Sequence, residues 1–138
     1  MRKITLIIIH CSATREGHDY TVDDIDRWHR ERHFASIGYH YVVHLDGTVH
    51  KGRPIEQPGA HCLNHNAHSI GICYIGGLDA EGKPKDTRTE AQRQSLRQLI
   101  ASLHSQFPRA VTAGHNVFSP KRCPCFDAVG EYREFQPH

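Results

Sequence analysis

Leu6-Ile7-Ile8-Ile9, followed at once by His10, is the stretch whose reading decides the fold. The run is apolar and largely β-branched with no polar alternation, so it reads as a strand covered on both faces. Ile70-Gly71-Ile72-Cys73-Tyr74-Ile75 is a second such strand, stopped by Gly76-Gly77. A helix is expected over Val22 to Arg32, with Thr21 as its cap and Asp23 and Asp24 in its first turn. Ile25, Trp28 and His29 share one side of it. Thr89-Glu90-Ala91-Gln92 is a capping box. Leu96, Leu99, Ile100, Leu103 and Phe107 then recur at helical spacing until Pro108.

Shorter elements fill the rest. Tyr39 to Leu45 reads as a strand, Asp46-Gly47 as a hairpin turn and Thr48 to Lys51 as the return strand. Gly52 to Ser69 is a long loop rich in Gly, Pro, Asn and His; such loops inside a small domain usually serve function. Ala110 to Ala113 is a short strand, Asn116 to Cys125 a proline-pinned loop, and Asp127 to Phe135 a last short helix. Strands alternating with helices predict one α/β domain with a mixed sheet across residues 1–138.

Composition narrows the function. With 38% hydrophobic and 23% charged residues the chain is neither disordered nor membrane-embedded, and a net charge of +2 does not argue nucleic-acid binding. Met1-Arg2-Lys3 before an apolar run imitates a signal peptide, but the run is short, ends in His10 and lacks a small-residue cleavage site. Synthesis in the cytoplasm without a signal peptide, and no membrane span, are therefore expected. Five cysteines make a poor disulfide framework, and Cys11 and Cys73 lie in apolar runs, which suggests free thiols. Thirteen histidines are an excess that invites metal or acid–base chemistry.

His10 and His115 each follow a strand, where ligands bind in α/β sheets. Taken singly, either fits a strand-end polar residue. Cys123 lies eight residues beyond His115, across a loop bracketed by Pro120 and Pro124, and can fold back beside it. Two histidines and a cysteine make a three-ligand zinc site with the fourth position open, the pattern of a catalytic centre. Lys121, two residues before Cys123, points the same way if the chain is extended, while Arg122 points outward. Its ammonium would offset the charge that a thiolate donates to zinc. Tyr39 can offer a phenol to the oxyanion of a tetrahedral intermediate. A His10–Cys11 dyad fails because neighbouring strand residues face opposite sides, and Ser12 lacks a nucleophile elbow.

These pieces, in order along nearly the whole chain, resemble the N-acetylmuramoyl-L-alanine amidases of the peptidoglycan recognition protein superfamily, and within them the short amidases of T-odd phages. The likeness rests on His10-Cys11-Ser12-Ala13-Thr14, Gly38-Tyr39-His40-Tyr41, Asp46-Gly47-Thr48-Val49 and Gly52-Arg53. It continues through Gly59-Ala60-His61, Asn64-His65-Asn66, Ser69-Ile70-Gly71-Ile72, Gly76-Gly77, Gly114-His115 and Ser119-Pro120-Lys121-Arg122-Cys123-Pro124. The resemblance implies a central mixed sheet flanked by helices and a peptidoglycan groove over the metal. It implies zinc ligands at His10, His115 and Cys123, catalytic partners Tyr39 and Lys121, and substrate contacts at His61 and Asn66. Cys125 is an extra thiol near the site, and no cell-wall-binding repeat accompanies the domain.

The expectation is a monomeric zinc amidase acting on peptidoglycan or muropeptides, with no nucleic-acid partner. The bond cut would be that between N-acetylmuramic acid and L-alanine. A phage-type endolysin working on the cell wall and a cytoplasmic muropeptide-recycling amidase both fit a chain without a signal peptide. A non-catalytic peptidoglycan-binding module is the rival of another class, and Cys123 favours the enzyme. An intracellular regulator that binds a polymerase is a third reading, which the very short tail before the first strand does not support.

Overall fold

A computed structural model describes residues 2–137. In chain order the elements are β1 (Leu6–Cys11), β2 (Thr14–Arg15), α1 (Val22–Glu31), β3 (Tyr41–Val43), β4 (Val49–Lys51), β5 (Ser69–Tyr74), β6 (Gly77–Leu78), α2 (Glu90–Gln106), β7 (Val111–Gly114) and α3 (Ala128–Glu131). The main sheet is ordered β4-β3-β5-β1-β7. β1 runs parallel to β5 and β7, β3 parallel to β5, and β4 antiparallel to β3. The sheet is therefore mixed, as expected. β2 and β6 form a separate two-stranded pair that the sequence reading did not anticipate.

The two faces of the sheet divide the apolar residues by strand alternation. Ile7, Ile9 and Cys11 of β1, Ile70, Ile72 and Tyr74 of β5 and Val43 of β3 pack with Leu96, Ile100 and Leu103 of α2. On the opposite face Val42 and Ile75 pack with Ile25 of α1 and with Ile37. Both capping boxes form. Thr21 Oγ1 accepts from the Asp24 N–H and Thr89 Oγ1 from the Gln92 N–H, and each reciprocal bond is present.

Boundaries move in informative ways. β1 extends through His10 and Cys11, so His10 belongs to the strand rather than following it. Tyr39 precedes β3 instead of starting it, because Tyr39 and His40 turn toward the long loop: Gly52 N–H donates to His40 O and Arg53 N–H to Tyr39 O. The terminal helix splits into α3 and a 3₁₀ turn at Arg133–Phe135. The Gly52–Ser69 loop is ordered by two arginines. Arg53 donates to the carbonyls of Ser36, Ile37 and Pro58, and Arg2 to those of Ile55, Asn66 and Ala67.

One buried charge fastens the C-terminal segment. The Arg88 side chain is 1% exposed, pairs with Asp86 and Glu131, and lies 3.4 Å from the Phe126 ring centroid. These partners push its pKa further up, against burial, which is the largest influence and acts the other way. Removing one member of a buried pair is expensive, so Arg88→Ala is expected to cost about 3 kcal/mol. A urea or thermal melt checks this, and an unchanged midpoint would contradict it.

Candidate metal centre and cleft

The register of the parallel strands builds the centre. Ile9 lies opposite Gly114, so the next residues along the two chains, His10 and His115, stand side by side. Neighbouring strands are about 4.8 Å apart, and the two imidazole centroids are 4.6 Å apart. Cys123 then returns through the Asn116–Cys125 loop. Its sulfur accepts from the Cys11 N–H at 3.1 Å and lies 3.9 Å from His10 Nδ1. One ligand atom from each of His10, His115 and Cys123 falls within 4.8 Å of the others. Nitrogen and sulfur donors around one tetrahedral ion sit about 3.5 Å apart, so the trio fits a metal with small side-chain adjustments.

The electrostatics suit the same purpose. Burial pushes the His10 imidazole well below its usual range, helped by His61, His115 and His29. His115 is pushed down by burial and then by the Lys121 ammonium. Imidazoles held neutral are the form a metal takes. Burial drives the Tyr39 phenol well above its usual value, so it stays a proton donor.

The trio opens on a cleft of about 750 Å³ lined also by His29, Phe34, Tyr39, His61, Asn66, Phe118 and Lys121. All seven residues read from the sequence therefore meet at one cleft. Tyr39 lies beside the metal trio, its ring 5.1 Å from that of His10. Lys121 is exposed on the cleft wall and Arg122 is absent from that wall, although the segment is a bend and turn rather than extended. His61 and Asn66 line the cleft but also have structural work. His61 Nδ1 is 2.8 Å from His10 Nε2. Asn66 Oδ1 accepts from the N–H groups of His61 and Cys62 and so shapes the loop that carries His61.

Two features were not read from the sequence. His29 lines the cleft, its Nδ1 accepting from the Gly38 N–H at 2.8 Å, and burial pushes it down to about 4. The signal available was its position four residues after Ile25 on the inward side of α1. The Cys11 N–H bond to Cys123 left no trace in the sequence, since any residue supplies a backbone N–H. Ser12, set aside as a nucleophile, bonds the Thr14 hydroxyl at 2.7 Å and accepts from the Gly76 N–H. All five cysteines are free; their side chains form no disulfide among the described residues. Contact with Cys123 and burial push the Cys11 thiol up, and burial pushes Cys125 up to about 11, so neither is an activated nucleophile.

Known proteins resemble this chain in sequence and in fold. The family model described as N-acetylmuramoyl-L-alanine amidase (Amidase_2) matches residues 1–126. The endolysin of Escherichia phage T7 is 41% identical over 121 residues, covering 88% of this chain and 80% of that protein. Among solved structures, the N-acetylmuramoyl-L-alanine amidase LysC from Clostridium intestinale superposes with a TM-score of 0.79 at 25% identity, over 97% of this chain and 83% of that one. Drosophila peptidoglycan recognition protein LB shares the fold with a TM-score of 0.78 at 24% identity, over 95% and 80% of the two chains. No helix among the described residues is long and apolar enough to cross a membrane.

Proposed function

Because the chain belongs to the N-acetylmuramoyl-L-alanine amidase family, we propose that it is a zinc-dependent hydrolase of bacterial peptidoglycan, endolysin-like in its action on the cell wall. It cuts the amide bond between N-acetylmuramic acid and L-alanine, works as a monomer, and carries the activity in one catalytic domain spanning residues 1–138. The observation that carries this reading is the meeting of His10, His115 and Cys123 at one point of a cleft that also holds Tyr39 and Lys121.

His10, His115 and Cys123 would hold the ion, a three-residue donor set that would leave room for water or substrate. Zinc bound there supplies a Lewis acid and lowers the pKa of a coordinated water. The protein contributes the rest. The cleft receives the lactyl–alanyl segment, with His61, Asn66 and His29 on its walls. The Tyr39 hydroxyl, kept protonated by burial, donates a hydrogen bond to the scissile carbonyl oxygen as it gains negative charge. The Lys121 ammonium places a positive charge on the same side. Water adds its oxygen to the carbonyl carbon and the C–N bond breaks. A proton from that water reaches the departing alanine nitrogen, relayed by Tyr39 or by water in the cleft, to leave a lactyl carboxyl group and a free amine.

Metal analysis tests the ligand set. The purified protein is expected to hold one zinc per chain, and His10→Ala and His115→Ala to lose it. Clearing of a cell-wall suspension should stop on chelation and return with zinc. Full zinc retention in both alanine variants would overturn the assignment.

A further inference from the structure

We infer that His61 is a positioning residue for the metal ligand His10, acting through a hydrogen-bonded chain His10–His61–Ser69. The inference rests on the zinc reading above. His10 is 1% exposed and presents its two ring nitrogens to different partners. Nδ1 is on the side of Cys123, and Nε2 lies 2.8 Å from His61 Nδ1. If Nδ1 ligates, the neutral ring carries its proton on Nε2, and that N–H donates to His61 Nδ1. His61 is thereby fixed as the tautomer with its own proton on Nε2. That N–H donates in turn to Ser69 Oγ, 3.2 Å away. With a metal on Nδ1 each donor in the chain meets an acceptor, so the chain supports the tautomer of His10 whose Nδ1 lone pair faces the metal, and His61 holds that ring in place.

The His61 ring is held in place by its surroundings. A Cβ on Gly71 would lie 2.6 Å from the ring, and a Cβ on Gly59 also 2.6 Å from it. The imidazole therefore sits on glycine on two sides, and any side chain at either position would displace it. The His61 N–H is tied to Asn66 Oδ1 at 2.9 Å. The rings of His10 and His61 meet edge to face, 4.9 Å apart and 88° between planes. A side chain whose only work was to touch substrate would have no need of this seat.

Losing an outer partner of a metal-bound histidine typically costs on the order of 10- to 100-fold in metal affinity. His61→Ala is expected to weaken zinc by that factor in a chelator-competition titration. His61→Asn, whose amide oxygen can stand near the position of Nδ1 and accept the same proton, should recover most of the affinity. Ser69→Ala should fall between the two. The parallel readout is the visible spectrum of the cobalt-loaded protein, which should change in His61→Ala and revert in His61→Asn. A thermal melt of each metal-free variant identifies any that fail to fold, and His61→Asn keeps the comparison open if His61→Ala does. If the parent binds zinc and His61→Ala binds it equally well, losing only affinity for substrate, the positioning role is wrong. If the parent itself binds no zinc, the underlying zinc reading fails instead.

Discussion

Replacing Cys123 by serine is expected to reduce hydrolysis to background while leaving the fold in place. Cys123 supplies the one sulfur of the trio, and as a metal ligand it would bind as the thiolate, the one anionic donor. A serine hydroxyl stays protonated near neutral pH and is a poor zinc ligand where a thiolate is a good one. Two histidines alone should hold zinc far more weakly, with a loss well beyond the roughly 10- to 100-fold that an outer-shell change costs. The fold has independent support. The two packed faces of the sheet and both capping boxes involve residues other than Cys123, apart from its packing at the edge of the larger cluster. Serine can also accept the Cys11 N–H that the sulfur now accepts. The variant should therefore melt near the parent and still bind muropeptide, as a recognition module would. Calorimetric titration with a muropeptide, beside a melt and an activity assay, decides this. An unfolded variant would mean the metal is structural, and an active one would mean the chemistry does not run through this site.

The second large effect is expected at Tyr39 and Lys121, each of which should lose rate and keep the metal. Tyr39→Phe removes only the hydroxyl, since the ring that packs 5.1 Å from His10 and 5.3 Å from His29 remains. Removing one preorganised oxyanion donor costs on the order of 100- to 1,000-fold in kcat. Lys121 is exposed, so water screens its charge, and Lys121→Ala should fall at the low end of that range. Both variants should retain one zinc per chain, which separates them from the ligand variants. Parent rates in both on a soluble muropeptide would remove them from the mechanism.

Much of this centre could be read before the structure because the position of each strand along the chain is written locally. The apolar runs at Leu6–Ile9 and Ile70–Ile75 could only be buried strands, and a polar residue at the end of such a strand must face a ligand cleft or solvent. What the runs do not encode is register. The pairing of Ile9 with Gly114 brings His10 beside His115, and that pairing depends on contacts between distant segments. The same limit explains the misplaced start of β3: Tyr39 has strand propensity, yet tertiary bonds to Arg53 and Gly52 decide its conformation. It also explains β2 and β6, two-residue strands too short for any periodicity. Resemblance named His61 as a cleft residue, and only the folded structure places its nitrogen against His10. Backbone donors such as the Cys11 N–H are invisible in principle, because every residue but proline carries one.

The central claim is the bond that is cut, and mass analysis of digestion products tests it most directly. Intact sacculi and soluble muropeptides are incubated in parallel with the zinc-loaded protein. The account predicts release of stem peptides with a free L-alanine amino terminus, leaving glycan whose lactyl carboxyl groups are unsubstituted, and none of either after chelation. Products cut within the glycan or within the stem peptide, or no products from either substrate, would contradict it.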